Sequence, residues 1–455
     1  FFVEERMTEA IKSRGKMNNS FDPQSVEKLE PPTRKMVEQR ARLLGPSYRL
    51  FYAEPVDFVR GEGVKLWDSH GNEYLDAYNN VVSVGHGHPK VVEAISEQMK
   101  TLCTHTRYLH TNILEYAEEL RLTFGGTIGD TGHAIFTCTG SEANDLAFRI
   151  AKYRTGKHGV IVTSEAYHGN SDATAAFSPS LGDYSPLGTL VRRVPAPDSY
   201  RYDPTNMGRW LADHVQGQID DLERHGDGLA AFVVDSLFTS DGIFSHPVDV
   251  LKPVIDVVHR AGGLFVADEV QSGFARTGDK MWGYQRHGID PDIVTMGKPM
   301  GNGYPVAGIG VRHDVVDDFG RDMRYFNTFG GNTVAMAAAR AVLSVIKDEG
   351  LQENAARVGN VLLEGLSGIA KESAIVGDVR GVGLYIGVEI VKDKGSKEAD
   401  KARAAEIVGE MRKRRVLISA TGFDGNVLKI RPPLVFSAAD AERFLETIRS
   451  VLRTA

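Results

Sequence analysis

Between residues 90 and 340 the chain repeats one pattern: a short apolar run, an amphipathic stretch at helical spacing, then another run. The runs are HAIFTC, GVIVTS, TLVRRVP, AAFVVDSLF, GLFVADEV, DIVTMGK and VAGIGV. Strands separated by helices cannot pair as tight hairpins, so the pattern predicts an α/β fold whose mostly parallel sheet is covered on both faces. Ligands of such sheets sit outside the carboxyl ends of the strands. Three of the runs end there in an ionisable residue: Asp235, Asp268 and Lys298.

The rest of the chain reads differently. Residues 1–55 are charged and proline-rich (EKLEPPTRK) and predict a surface arm. Residues 56–89 alternate through VDFVRGEGVKLWDSHGNEYLDAY, a small antiparallel unit turning at HGN, and continue into an entrance loop, NNVVSVGHGHP. This segment is expected to join the small domain, with 90–340 as the large domain. Residues 341–455 are expected to form a smaller α+β domain; the helical TVAMAAARAVLSVIKDEG leads into RGVGLYIGVEIV, NVLKIRPPLVF and a final amphipathic helix.

A formal net charge of −7 leaves no basic footprint, which argues against nucleic acid or an anionic membrane as partner and toward small-molecule chemistry. The two cysteines, Cys103 and Cys138, form no CxxC pair and suggest neither a disulfide framework nor a thiol metal site. His86 and His88 lie in a Gly-Pro turn and read as structural, so no metal is expected. No apolar run approaches the ~18 residues of a spanning helix, and FFVEERMTEAIKSRGK has early acids and no apolar signal region. A cytoplasmic location is the expectation.

The segment TCTGSEANDLAFRIAKYRTG predicts a strand, a turn at Gly140-Ser141 and a helix with Ala143, Leu146, Ala147, Ile150 and Ala151 on one face. Free N–H groups at such a helix start suit a phosphate, although the same residue types also serve as a plain cap. GVIVTSEAYHGN brings Tyr167 and His168 to another strand end, where an aromatic either stacks on a planar ring or closes the core. A lysine beside a carboxylate is either a buried ion pair or a reactive pair. Together these are the parts needed to hold pyridoxal 5′-phosphate: an amine for its aldehyde, an acid for its ring nitrogen, an aromatic for its face and a phosphate cradle. Glu269, next along the strand from Asp268, points to the opposite face and is assigned to structure.

In order and spacing, TGSEAND, AYHG, FVADEVQSGFARTG, TMGKPMGNGYP and NTFGGNTVA resemble the class III aminotransferases of pyridoxal-phosphate fold type I, from about residue 50 to the end. The resemblance implies Lys298 as the Schiff-base lysine, Asp268 as partner of the ring nitrogen and Tyr167 as the stacking aromatic. It implies Gly140 and Ser141 as phosphate donors, Val270 behind the ring and Gln271 near the ring hydroxyl. His168 and Asp235 fall in the same cofactor-binding set. Thr328 corresponds to a threonine that reaches the cofactor of a neighbouring subunit, so a homodimer with shared active sites is expected, with pairing into tetramers left open.

For the substrate, the same resemblance is less direct. DSLFTSDG replaces the EPVQGEGG of many members, with Ser240 where they carry a glutamate. Lys429 stands where several have a carboxylate-binding arginine, and Arg431 follows two residues on. Asn79 and Asn80 and the LKIRPPLVF run resemble the branch of alanine-glyoxylate aminotransferase 2-like proteins and phosphoethanolamine phospho-lyases. Asn80, Lys429 and Arg431 are therefore the candidate substrate residues. The expected reaction moves an amino group from a small amine donor to a keto acid acceptor in two halves. Elimination of phosphate is the alternative, which a cation cluster drawn from Lys429, Arg431 and Arg107 would favour. A silent binding protein is a third reading, opposed by the presence of Lys298, Asp268 and both phosphate motifs.

Overall fold

The computed structural model describes residues 19–454. Its first sheet is built from β1 (Phe58–Glu62), β2 (Lys65–Asp68) and β3 (Glu73–Asp76), antiparallel neighbours that turn through Gly71 at a positive φ of 79°. Glycine meets that conformation without a Cβ clash. The arm before it has a helix, Pro31–Leu44, with no buried residue.

The seven predicted runs become β4 (His133–Thr137), β5 (Gly159–Thr163), β6 (Val191–Val194), β7 (Leu229–Asp235), β8 (Leu264–Asp268), β9 (Ile293–Met296) and β10 (Ala307–Val311). They form one sheet in the order β4-β10-β9-β8-β7-β5-β6. β10 runs antiparallel to both neighbours, so the sheet is mixed and mostly parallel.

The period of two along these strands decides what faces what. Val160, Val162, Ala231, Val233, Leu264, Val266 and Ile293 pack on one face with Ala143, Leu146 and Ile150 of α1 (Gly140–Thr155). Ile161, Phe232, Val234, Phe265, Ala267, Val294 and Met296 pack on the other with Leu211, Val215, Val254 and Val258. Both faces are apolar, as a sheet covered twice requires. Burial of Leu146 or Ile150 contributes about 1.5–3 kcal/mol each by area. The same parity sends Asp235, Asp268 and Thr295 to the α1 face.

The smaller domain holds β11 (Val376–Val382), β12 (Tyr385–Ile390), β14 (Ser419–Thr421) and β15 (Val427–Ile430) as an antiparallel sheet ordered β11-β12-β15-β14. The short β13 (Val416–Leu417) instead pairs parallel with β3, tying the early antiparallel unit to the last part of the chain. On β15, Leu428 and Ile430 enter the core while Val427 and Lys429 take the other face. Among the described residues no helix is long and apolar enough to cross a membrane.

Candidate active site

A cavity of about 280 Å³ opens beyond the carboxyl ends of β7, β8 and β9. Gly140, Ser141, Tyr167, His168, Asp235, Asp268, Val270, Gln271 and Lys298 all line it, so nine of the candidate residues meet in one place. Asn144, Gly169 and Asn170 complete the lining.

Asp268 sits at the centre. Its Oδ2 accepts from Asn144 Nδ2 at 2.9 Å and lies 2.7 Å from His168 Nδ1, and its Oδ1 accepts from the Val270 N–H at 3.0 Å. Burial by itself raises the carboxyl pKa, but the His168 contact, the Val270 N–H and Asn144 outweigh it and hold the group below its usual value. The acid therefore stays ionised although buried. Asn144 is locked in turn: its Nδ2 also donates to the His168 carbonyl at 2.8 Å and its Oδ1 accepts from Thr295 Oγ1 at 2.7 Å.

Asn144 and Thr295 are site residues that sequence reading missed. Their signal was a polar side chain inside an apolar helix face and strand, visible in ANDLAF and DIVTM. The TGSEAND segment had raised capping as a competitor to a phosphate role. The cap is Thr139, whose Oγ1 accepts from the Glu142 N–H at 3.1 Å while Glu142 accepts from Thr139 N at 2.9 Å. Gly140 and Ser141 are the first residues of α1 itself, a correction to the expected turn. Ser141 Oγ donates to Asn170 Oδ1 at 3.0 Å and accepts from Asn170 N at 3.1 Å. A Cβ on Gly140 would lie 3.0 Å from Val270 Cγ2, so the glycine keeps the helix start open.

Lys298 follows β9 by two residues and takes φ of 29°, a backbone region that costs a non-glycine residue of order 1–3 kcal/mol. Burial, and next the charge of Arg431, lower its amine to about 8, against the pull of Asp268 and Asp235. A lysine so tuned is partly neutral near physiological pH and thus nucleophilic. Tyr167 is 38% exposed, and its hydroxyl is raised by burial and by the Asp268 charge. Glu269 turns away as expected. It is buried and accepts from the Ser236 and Ser272 hydroxyls and the Gly283 and Tyr284 N–H groups.

A second layer reaches the cavity from the small domain. Thr239 Oγ1 donates to Asp235 Oδ2 and accepts from Gln271 Nε2 at 2.7 Å. Gln271 Oε1 accepts from Arg431 Nη1 at 2.5 Å and Tyr385 OH at 3.3 Å. The Arg431 guanidinium lies 4.6 Å over the Tyr78 ring. Lys429 is buried, and burial together with the charges of Arg431 and Lys298 lowers its amine well below the usual range. Among the described residues neither Lys429 nor Arg431 forms an ion pair with a carboxylate, and Arg431 Nε has no hydrogen-bond partner.

Three candidates lie elsewhere. Asn80 is buried in the entrance loop without a partner for Nδ2; Ser83 of the same loop donates to the Pro299 carbonyl at 3.0 Å. Thr328 is exposed, outside this cavity, beside the exposed Phe329. Arg107 is exposed and stacks 3.8 Å over Phe326, so it is not in the cation cluster considered for it. His86 Nε2 pairs with Asp76 at 2.8 Å and His88 Nε2 with Glu349 at 3.2 Å.

Residues 51–452 match the family model for aminotransferase class-III. This chain belongs to the class III aminotransferase family. It is 37% identical over 431 residues to an alanine-glyoxylate aminotransferase 2-like protein of Drosophila melanogaster, covering 91% of this chain and 86% of that one. It is 36% identical to ethanolamine-phosphate phospho-lyase homolog 1 of Caenorhabditis elegans, covering 98% of each. Among solved structures it resembles a phospholyase from Arthrobacter in complex with phosphoethanolamine, at a TM-score of 0.89 and 41% identity over 92% of this chain and 100% of that chain. A Bacillus anthracis aminotransferase follows at 0.85 and 29%, covering 93% of this chain and 99% of that chain.

As a class III aminotransferase the protein is a pyridoxal-phosphate enzyme, and the residues present fit that cofactor. The ionised Asp268 suits a protonated ring nitrogen, the low-pKa Lys298 suits an aldehyde, and the open start of α1 suits a phosphate.

Proposed function

We propose that this enzyme acts on a small primary amine carrying a phosphate on the neighbouring carbon, and eliminates that phosphate. The observation that carries the reading is the pair of buried basic residues, Lys429 and Arg431, which lie within electrostatic reach of Lys298 and, among the described residues, form no ion pair with a carboxylate. Burial and the Arg431 charge disfavour the charged form of Lys429, and a bound dianion restores it by compensating both groups at once. The similarity to two proteins named for phospho-lyase activity supports the same reading.

Pyridoxal 5′-phosphate, when bound, supplies an electron-withdrawing ring that accepts the charge left on the substrate carbon next to nitrogen. The chain's own residues do the rest. Asp268, kept ionised by His168, Val270 and Asn144, holds the ring-nitrogen proton in place. Lys298 takes the proton from the carbon bearing the amine. Arg431 and Lys429 orient the phosphate and stabilise it as it departs, when the bond from the neighbouring carbon to the ester oxygen breaks and its electron pair leaves with phosphate. For O-phosphoethanolamine and water the sum is acetaldehyde, ammonium and inorganic phosphate.

Amino-group transfer to a keto acid is the second reading, and Arg431 favours it to the extent that a guanidinium also binds a carboxylate. Lys298 and Asp268 would serve both reactions. The test is to incubate the holoenzyme with O-phosphoethanolamine and no keto acid, assaying phosphate and acetaldehyde over many turnovers. Equal, continuing release of both is expected. Turnover that stops after one equivalent and resumes only on adding pyruvate, without phosphate release, would establish the transaminase instead.

A further inference from the structure

The loop that follows β7, from Ser236 to Ser245, is almost wholly buried and crosses the boundary between the domains. Phe238 and Ile243 adopt positive φ there, at 51° and 64°, so local preference does not explain its shape. Its outward carbonyls are satisfied by the small domain. Thr421 Oγ1 donates to Thr239 O at 3.1 Å, Gly422 N to Ser240 O at 3.1 Å, and Arg380 Nε to both Gly242 O and Ile243 O at 3.0 Å. Arg380 Nη2 adds a bond to Gly242 O at 2.7 Å.

Arg380 is itself fixed on every side. Nη2 pairs with Glu389 at 2.7 Å, Nη1 with Asp378 at 3.0 Å, and the guanidinium lies 4.7 Å over the Phe244 ring. Glu389 is buried and also accepts from Arg201 of the large domain and from Asn426. The held loop then presents Thr239 to Gln271, and Gln271 to Arg431. Arg276 makes the reciprocal crossing, donating from the large domain to the Leu384 and Pro432 carbonyls, the latter next to Arg431.

Resting on the proposed anion subsite, we infer that Arg380 is a positioning residue for it: by holding the 236–245 loop, Arg380 sets Thr239 and Gln271 and so the direction of the Arg431 guanidinium. Lysine at 380 keeps the charge but lacks the planar fork that reaches two carbonyls and a carboxylate together. The loop relaxes, and Arg431 loses its fixed orientation toward a bound dianion.

The test measures inorganic phosphate binding to the holoenzyme by calorimetry, where the cofactor already fills its own phosphate site, alongside KM and kcat for O-phosphoethanolamine. The variants are Arg431→Ala, Arg380→Lys, Thr239→Ala and the Arg380→Lys/Thr239→Ala double. Arg431→Ala is expected to weaken phosphate binding, and Arg380→Lys to weaken it by about tenfold, the scale of one charge-assisted hydrogen bond. KM should rise and kcat should fall with it, because Arg431 also stabilises the departing phosphate, while cofactor content stays near wild type. Because Arg380 and Thr239 act in one chain, the double variant should bind phosphate no more weakly than the worse single. If Arg431→Ala weakens binding while Arg380→Lys does not, or while the two effects multiply, the inference fails and the anion subsite stands. If Arg431→Ala leaves binding intact, the subsite itself fails and the inference with it. Should Arg380→Lys not fold, Arg201→Gln removes an outer support of Glu389; unchanged phosphate affinity there would overturn the inference, and a few-fold loss would support it.

Discussion

Asp268 and Glu269 are adjacent, equally buried and opposite in role, because a strand turns successive side chains to opposite faces. Asp268→Asn preserves size and hydrogen bonding but removes the fixed negative charge. We expect cofactor content near wild type and kcat lower by about 10²-fold or more; a single-turnover rate equal to wild type would remove Asp268 from the chemistry. Glu269 gives a stability prediction. Burial pushes its carboxyl up from an ordinary 4.5 to about 7 despite four hydrogen bonds. Its folded pKa lies above the unfolded value, so its stability contribution is fully present below about 4.5 and is lost as pH rises through about 7. Glu269→Gln does not titrate. Its destabilisation relative to wild type should therefore be largest near pH 4.5, shrink up to pH 7 and then level off, as read from urea melts across that range. A difference independent of pH would show that Glu269 does not titrate there. At this scale, residues closing a strand were legible, since a charge after an apolar run stands out. Thr239 and Tyr385 were not, because nothing local distinguishes a hydroxyl that reaches across a domain boundary.

At the scale of the element, α1 combines two functions that sequence alone left in competition. Thr139 and Glu142 cap the helix, which releases Gly140, Ser141 and Asn144 to face the cavity. The two functions are therefore separable by mutation. Thr139→Ala should cost about 1 kcal/mol of stability in denaturant titration and leave cofactor retention unchanged. Gly140→Ala should do the reverse: its Cβ would press on Val270 Cγ2 at 3.0 Å and crowd the helix start, so cofactor should dissociate more readily on dialysis while the melt barely moves. A reversed outcome would assign phosphate binding away from this turn. All seven strands of the large sheet were readable from their apolar runs, since a doubly covered sheet needs apolar residues on both faces. The reversed direction of β10 was not readable, because strand direction is set by connections and leaves no mark on composition. The same holds for β13, two residues that leave the last part of the chain to pair with β3.

For the whole molecule, the cavity is lined by the large domain, backed by Tyr385 and Arg431 of the small domain through Gln271, and leaves Thr328 outside. Thr328 and Phe329 stand exposed, and Tyr108, Leu109 and Leu114 are exposed large hydrophobic residues, Leu109 by 94%. Apolar groups so presented gain by association, at about 25 cal/mol for each Å² removed from water. A homodimer that brings Thr328 to the partner's cofactor would explain its position, and two measurements on one variant separate that account from a purely local one. Thr328→Ala is expected to sediment as wild type does, because a hydroxyl adds little to an apolar contact. Its cofactor affinity should fall by several-fold, the effect of one lost hydrogen bond to a charged group. Thr328 is not among the residues lining its own cavity, so a loss carried between subunits should vanish in a monomeric variant such as Leu109→Asp, whereas a loss that persists there is local. If Thr328→Ala binds cofactor as tightly as wild type in the associated form, the site is complete within one chain.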